Sequence, residues 1–234
     1  MIDIHCHLIH GVDDGPSTKR ESINMLQEAE KLGIKTIIAT PHIKDRNIKL
    51  DYILENLYDV VEAAKNIDIS IKLGCEFMIN PMLPELVKRY KILRMAGSRY
   101  VLVELPFDSF PKYCRDVFYK LQLRKFVPII AHPERNKYLL RNFSDFVNII
   151  DCGCLVQVDA ASIIGDKGWM IRSFCKKIIQ ERLVHFVSSD AHCSIHYTER
   201  YQKAYKQVKK WTNEDYARLL FKENGEKLLK NIPI

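Results

Sequence analysis

Long hydrophobic runs are missing from this 234-residue sequence. No stretch approaches the roughly 18 uncharged apolar residues that a membrane-spanning helix requires, so such a span is excluded. Paired cysteines are missing too. The seven cysteines, at 6, 75, 114, 152, 154, 175 and 193, are odd in number and include no C-x-x-C pair, which argues against a disulfide framework and against a thiolate zinc site. A cysteine-dependent phosphatase needs an arginine six positions after its nucleophile to hold the phosphate. The residues at that offset are Val12, Pro81, Lys120, Val158, Ala160, Glu181 and Glu199, and Cys193 misses Arg200 by one place. That chemistry is excluded, and the thiols read as small buried apolar groups. Internal repeats, low-complexity tracts and Ser/Pro-rich linkers are absent as well. The opening residues, Met1-Ile-Asp-Ile-His-Cys-His7, lack the basic region and apolar run of a secretory signal. They read as a strand, and a cytoplasmic protein is expected.

What is present is a sequence rich enough in apolar residues (47%) to build a core, which excludes a disordered chain. Its net charge of +7 suits acidic partners such as phosphorylated groups, nucleic acid or an anionic membrane face. The basic residues are scattered, however, with a mild concentration from Lys203 to Lys210, and a lysine-rich solvated surface explains them equally well. No basic groove with interleaved aromatics is evident, which argues against nucleic acid.

Short β-branched runs alternate with amphipathic segments of helical length. The runs are Ile2–Cys6, Thr36–Ala39, Ile69–Cys75, Tyr100–Val103, Val127–Ala131, Leu155–Val158 and Val184–Ser188, continuous and apolar as in strands buried on both faces of a parallel sheet. The first helix is predicted after Pro16, where Thr18-Lys-Arg-Glu21 has capping-box spacing, and ends at Gly33. A second carries Ile53, Leu57, Val60, Val61 and Ala64. Later ones are expected over 83–95, 111–125, 143–151, 169–182, 198–211 and 213–230, the last of these packed outside the strands. Seven such alternations over residues 1–234 predict a single α/β domain, close in size to a (β/α)8 barrel. A doubly wound open sheet is the alternative.

Histidines and acids gather where these strands end. His5 and His7 close the first run, His42 follows the second, Glu76 the third, Glu104 the fourth, His132 the fifth, and Asp190 with His192 the seventh. In parallel α/β architectures those ends form the active face. Alternate side chains of a strand share a face, so His5 and His7 should point together and Cys6 away. Imidazole and carboxylate without thiolate make a ligand set for manganese, iron or zinc at a catalytic site. Arg135 and Arg200 follow strands on the same face, and a guanidinium can pair with phosphate through two parallel hydrogen bonds. An ordinary surface arginine is the competing reading for each. Asp13 and Asp14 lie in a Gly-Val-Asp-Asp-Gly-Pro turn, from which one carboxylate could reach back to His5 and His7.

Taken in order, Ile4-His-Cys-His7, Gly11-Val-Asp-Asp-Gly-Pro16, Ala39-Thr-Pro-His42, Gly74-Cys-Glu76, Ala131-His-Pro-Glu-Arg-Asn136 and Ser188-Ser-Asp-Ala-His192 resemble the motifs of the PHP (polymerase and histidinol phosphatase) superfamily. They resemble above all its bacterial metal-dependent protein-tyrosine phosphatases of capsular and exopolysaccharide regulation, from residue 1 to about 230. The resemblance implies a distorted TIM-like (β/α)7 barrel, the PHP fold, holding three divalent metal ions, manganese first, with iron or zinc as alternatives. It implies His5, His7 and Asp190 on the first metal, with Glu76 bridging to the second. Glu104 and His132 would complete the second, and Asp14, His42 and His192 would hold the third. Arg135 matches the family's phosphate-binding arginine. Arg200 matches less closely, because the loop after His192 is longer than the family pattern, and His10 stands where the family commonly has proline. His185 and His196 have no assigned role.

The expected reaction is hydrolysis of phosphotyrosine in a protein substrate, a bacterial tyrosine kinase controlling polysaccharide synthesis, with no covalent enzyme intermediate. Arg135 and Arg200 would clamp the phosphoryl oxygens. The same ligand set also serves a small-molecule phosphomonoesterase such as histidinol-phosphate phosphatase, which is the principal alternative. A polymerase-type exonuclease and a metal-free regulatory module follow behind it.

Overall fold

The computed structural model describes residues 1–44, 48–197 and 200–234. Its strands are β1 (Ile2–Cys6), β2 (Thr36–Ala39), β3 (His42–Ile43), β4 (Ser70–Leu73), β5 (Glu76–Met78), β6 (Tyr100–Glu104), β7 (Val127–Ala131), β8 (Leu155–Asp159) and β9 (Phe186–Ser188). Every strand pairing is parallel. They form a three-stranded sheet, β1-β2-β4, and a six-stranded sheet, β3-β5-β6-β7-β8-β9. Each of the seven expected runs carries a strand. The additional strands β3 and β5 continue β2 and β4 after the interruptions Thr40-Pro41 and Gly74-Cys75. At two and three residues they are too short to show periodicity in a sequence. The far edges of the sheets also meet. Cys6 bridges Ala191 in parallel, His7 N donates to Ala191 O at 2.9 Å, and Asp190 N donates to His5 O at 3.0 Å.

Helices connect the strands: α1 (Lys19–Lys31), α2 (Leu50–Ala63), α3 (Leu83–Arg89), α4 (Cys114–Leu123), α5 (Lys137–Arg141), α6 (Phe143–Asp151), α7 (Ala160–Ile164), α8 (Trp169–Gln180), α9 (Arg200–Trp211), α10 (Glu214–Arg218) and α11 (Asn224–Leu229). The capping box of α1 forms as spaced, with Thr18 Oγ1 accepting from Glu21 N and the Glu21 carboxylate accepting from Thr18 N. The helix expected over 83–95 stops at Arg89, and short 3₁₀ turns with a left-handed Ala96 replace its second half. The one expected over 213–230 is divided by a π-helical stretch, Leu219–Glu223. Of 198–211, positions 198 and 199 lie outside the described residues. The five-residue helices α5 and α7 were not anticipated.

Strand alternation sorts the interior into two layers. Ile2 and Ile4 of β1, Ile38 of β2, Tyr100 and Leu102 of β6, Ile129 of β7, Leu155 of β8 and Phe186 of β9 pack as one apolar cluster. Further along the same face stand Glu104 of β6 and Gln157 and Asp159 of β8, all buried. The opposite faces, with Val101, Val103, Val156 and Val158, join the larger core under the helices. On β1 the register shifts between Asp3 and Cys6. That irregularity lets His5 follow Ile4 into the interior while Cys6 returns to the outer core.

Candidate metal centre

The strand ends bring nine side chains into mutual reach. Ligand-capable atoms lie within 4.8 Å of one another in the groups His7–Asp14–His42–His192, His5–His7–Asp190, His5–Glu76–His132 and His42–Glu76–Glu104. Glu76 is at the centre: its Oε2 lies 2.9 Å from His42 Nδ1 and 3.4 Å from both His5 Nε2 and His7 Nε2, and its Oε1 accepts from His132 Nε2 at 2.8 Å. Asp190 Oδ1 lies 3.4 Å and 3.3 Å from the Nε2 atoms of His5 and His7, while Asp14 Oδ1 is 3.5 Å from Nε2 of both His42 and His192.

Each histidine is turned by its surroundings. His5 Nδ1 donates to Gln157 Oε1 at 3.0 Å and His7 Nδ1 to Asp13 Oδ2 at 2.7 Å. His192 Nδ1 donates to the Asp190 carbonyl at 2.9 Å. These partners accept only, so Nδ1 carries a proton and Nε2 is aimed at the cluster. Asp13 is thus the supporting carboxylate of the turn and Asp14 the facing one. The turn is pressed against the first strand's end, where a Cβ on Gly15 would fall 2.5 Å from His7 O. His132 and Asp190 both adopt positive φ, 30° and 49°. Such backbone conformations are costly for non-glycine residues and concentrate at functional sites.

Electrostatics bind the cluster together. Burial opposes ionisation of Glu76, yet the His5 charge and the His132 hydrogen bond hold its carboxyl well below the usual range. Asp190 is likewise held down by His5 and His7 against its burial. Burial works against a charge on His132, but Asp159 and Glu76 push its imidazole up to about 10. Glu76 Oε2 and His42 Nδ1, 2.9 Å apart, are buried and poorly aligned with each other, and neither has another hydrogen-bond partner among the described residues. Unsatisfied acceptors among five inward imidazoles and four carboxylates are the donor set that a divalent cation satisfies, and the residues fit such ions.

Arg135 reaches the same cavity, with Nη1 2.8 Å from Asp190 Oδ2 and 3.4 Å from Asp159 Oδ2. Arg200 does not line it; its Nε pairs with Asp166 Oδ2 at 2.7 Å. His10 is half-buried, and its Nε2 has no partner among the described residues. Several contributors went unread in the sequence. Gln157 supports His5 and also accepts from His132 N at 3.2 Å. Asp159 holds Arg135, His196 Nδ1 accepts from His192 N at 3.1 Å, and Lys44 and Phe107 line the cavity. Gln157 and Asp159 carried a usable signal, since they sit on strand β8 two residues apart in an otherwise apolar run.

Known proteins resemble this chain to different depths. The chain is 33% identical over 99% of its length to the tyrosine-protein phosphatase YwqE of Bacillus subtilis, covering 92% of that protein. It is 29% identical to the tyrosine-protein phosphatase CpsB of Streptococcus pneumoniae, with 98% of each chain covered. A crystal structure from work on YwqE and CpsB, described as unique metal-dependent tyrosine phosphatases, superposes with a TM-score of 0.91 at 33% identity over 100% of this chain and 96% of the other. A histidinol phosphate phosphatase from Lactococcus lactis, solved with zinc, L-histidinol and phosphate, is 14% identical and shares the fold, with a TM-score of 0.55 over 91% of this chain and 95% of that one. The model of the capsular polysaccharide synthesis family CpsB/CapC matches residues 1–230, and the chain belongs to that family.

Proposed function

We propose that this chain is a metal-dependent protein-tyrosine phosphatase, a single domain over residues 1–234. One observation carries the reading: nine His, Asp and Glu side chains converge beneath Arg135, seven of them lining one cavity of ≈190 Å³ and the other two, His5 and His7, fully buried against them. Relatives covered almost end to end are named tyrosine-protein phosphatases, which supports it. Three divalent ions, manganese first and iron or zinc as alternatives, would be held by His5, His7 and Asp190 with Glu76, by Glu76, Glu104 and His132, and by Asp14, His42 and His192. Bound there, such ions supply positive charge against the phosphoryl oxygens and acidify water at the site.

The chain's own residues do the rest. Arg135, fixed by Asp190 and Asp159, holds the phosphoryl group where charge shifts as the ester breaks. Gln157 and Asp13 keep His5 and His7 turned inward. Arg200 joins the phosphate only if its pair with Asp166 opens. Burial pushes the thiols of Cys6, Cys75 and Cys175 well above their usual range, which argues against these three as nucleophiles. The two sheets are read as one distorted TIM-like (β/α)7 barrel of the PHP type. The continuation of β2 into β3 and of β4 into β5, together with the Cys6–Ala191 bridge, supports that closure. The family's link to capsule synthesis supports a bacterial tyrosine kinase as the phosphotyrosine-bearing partner. Seven free cysteines suit a reducing, cytoplasmic location.

The test compares phosphotyrosine peptide, histidinol phosphate and single-stranded DNA on one manganese-loaded preparation, before and after chelation. Phosphotyrosine should be the preferred substrate, and chelation should abolish its turnover until manganese is restored. Preference for histidinol phosphate would replace this reading with a small-molecule phosphomonoesterase. Full activity in metal-free protein would remove the metal centre.

A further inference from the structure

Among the described residues eleven line the cavity above the cluster, and Met78 and Phe107 are the apolar ones. Phe107 is 42% exposed, which alone means little, since single exposed aromatics are common. Its fixation is what matters. Lys137 N donates to Phe107 O at 2.7 Å, and Asn136 Nδ2 donates to the carbonyls of Pro106 and Ser109 at 2.6 Å and 2.9 Å. Three carbonyls around one ring are thus clamped by the segment that carries Arg135. The ring stands 6.1 Å from the His132 ring at an interplanar angle of 25°, and the Arg135 guanidinium lies 4.8 Å from its centroid. An exposed aromatic surface is therefore held rigidly beside the group that holds phosphate.

In an aryl phosphate only the ester oxygen separates phosphorus from the ring, so a phosphoryl group on Arg135 brings the substrate's ring to that surface. Resting on the phosphotyrosine reading above, we infer that Phe107 is the platform on which the substrate's aromatic ring packs, and that it selects aryl over alkyl phosphomonoesters. Phe107 does no chemistry; it is a specificity residue. An offset or edge-to-face ring pair contributes enough for about a tenfold preference.

Benzylphosphonate and methylphosphonate separate ring binding from leaving-group reactivity, because neither is hydrolysed. Their competitive inhibition constants against phosphotyrosine peptide are to be measured on manganese-loaded wild type, Phe107→Ala and Phe107→Tyr, with inorganic phosphate as control. Wild type should bind benzylphosphonate about tenfold more tightly than methylphosphonate, and Phe107→Tyr should keep that gap. Phe107→Ala should close it by weakening benzylphosphonate alone, with the phosphate and methylphosphonate constants unchanged. A gap that survives in Phe107→Ala overturns the platform. Equal weakening of all three inhibitors also overturns it, and makes Phe107 a brace for Arg135. Wild type that turns over phosphotyrosine peptide yet shows no gap overturns the platform and leaves the phosphatase standing. Wild type inert toward that peptide overturns the phosphatase reading and the inference with it.

Discussion

Arg135 is held by two carboxylates that differ in what they face: Asp190 belongs to the cluster, while Asp159 lies behind it. Burial and the nearby charge of Asp190 raise the Asp159 carboxyl, so it tolerates losing its partner by taking a proton. Arg135→Ala should therefore fold and keep its metal content, while kcat/KM for phosphotyrosine peptide falls on the order of a hundredfold. Arg135→Lys keeps the charge without the planar fork and should recover part of the loss. Metal analysis and kinetics on the same preparations check both, and wild-type turnover in Arg135→Ala would show that the arginine does not touch phosphate. Gln157 acts differently, through His5 and His132 rather than through substrate. Gln157→Leu leaves the His5 ring free to turn and should weaken metal binding by roughly 10- to 100-fold, as read by titration against a metal buffer. At saturating metal much of its activity should return, which a direct catalytic role would not allow.

Helix α4 ends in a Schellman turn: Lys125 N donates to Gln122 O at 2.8 Å, Phe126 N donates to Leu121 O at 3.1 Å, and Lys125 has φ 63°. The same turn closes α1 at Gly33 and α6 at Gly153, where glycine meets the left-handed requirement without strain. Lys125→Gly should thus stabilise the protein by about 1 kcal/mol, a rise of roughly 2–4 °C in Tm by thermal unfolding, with activity unchanged. An unaltered or lower Tm would mean that the lysine contributes a contact worth as much as its strain. Elements of this kind also mark how far the sequence could be read. The seven long runs and the α1 capping box were legible because burial on both faces and a local hydrogen-bond pair leave a periodic trace. So were the histidines and acids at strand ends, since such residues stand out against apolar runs. The strands β3 and β5, the helices α5 and α7, and the breaks after Arg89 and around Leu219–Glu223 were not legible, because packing rather than local pattern decides segments of a few residues. Gln157 and His196 escaped for another reason. Gln157 orients His5, far away in sequence, and its place in an apolar strand marks it without naming that partner, whereas His196 supports His192 from the same loop, where no periodic pattern singles it out.

Away from the site, at the strand starts, lies His185, whose Nδ1 accepts from Val156 N at 3.1 Å. Burial brings its imidazole down to about 4 from an ordinary 6.5. A histidine depressed in the fold contributes stability that is present above its unfolded pKa and is lost as pH falls toward the folded one. The protein should accordingly lose up to about 3 kcal/mol between pH 6.5 and 4 from this residue alone. His185→Asn, which retains an acceptor for Val156 N, should flatten that part of a stability-against-pH curve measured by denaturant unfolding. An unchanged curve would place the acid sensitivity elsewhere. The seam between the two sheets carries a further consequence. Few backbone bonds cross it at β1 and β9, yet His5 and His7 from the smaller sheet reach Glu76 and Asp190 from the larger one. The side chains gathered at the centre thus also tie the two sheets together, beside the apolar cluster beneath them and the hydrogen bonds from Ser189 to Asp3. Substitutions that empty the centre should therefore also loosen the seam, and faster amide hydrogen exchange at His7 and Asp190 would show it.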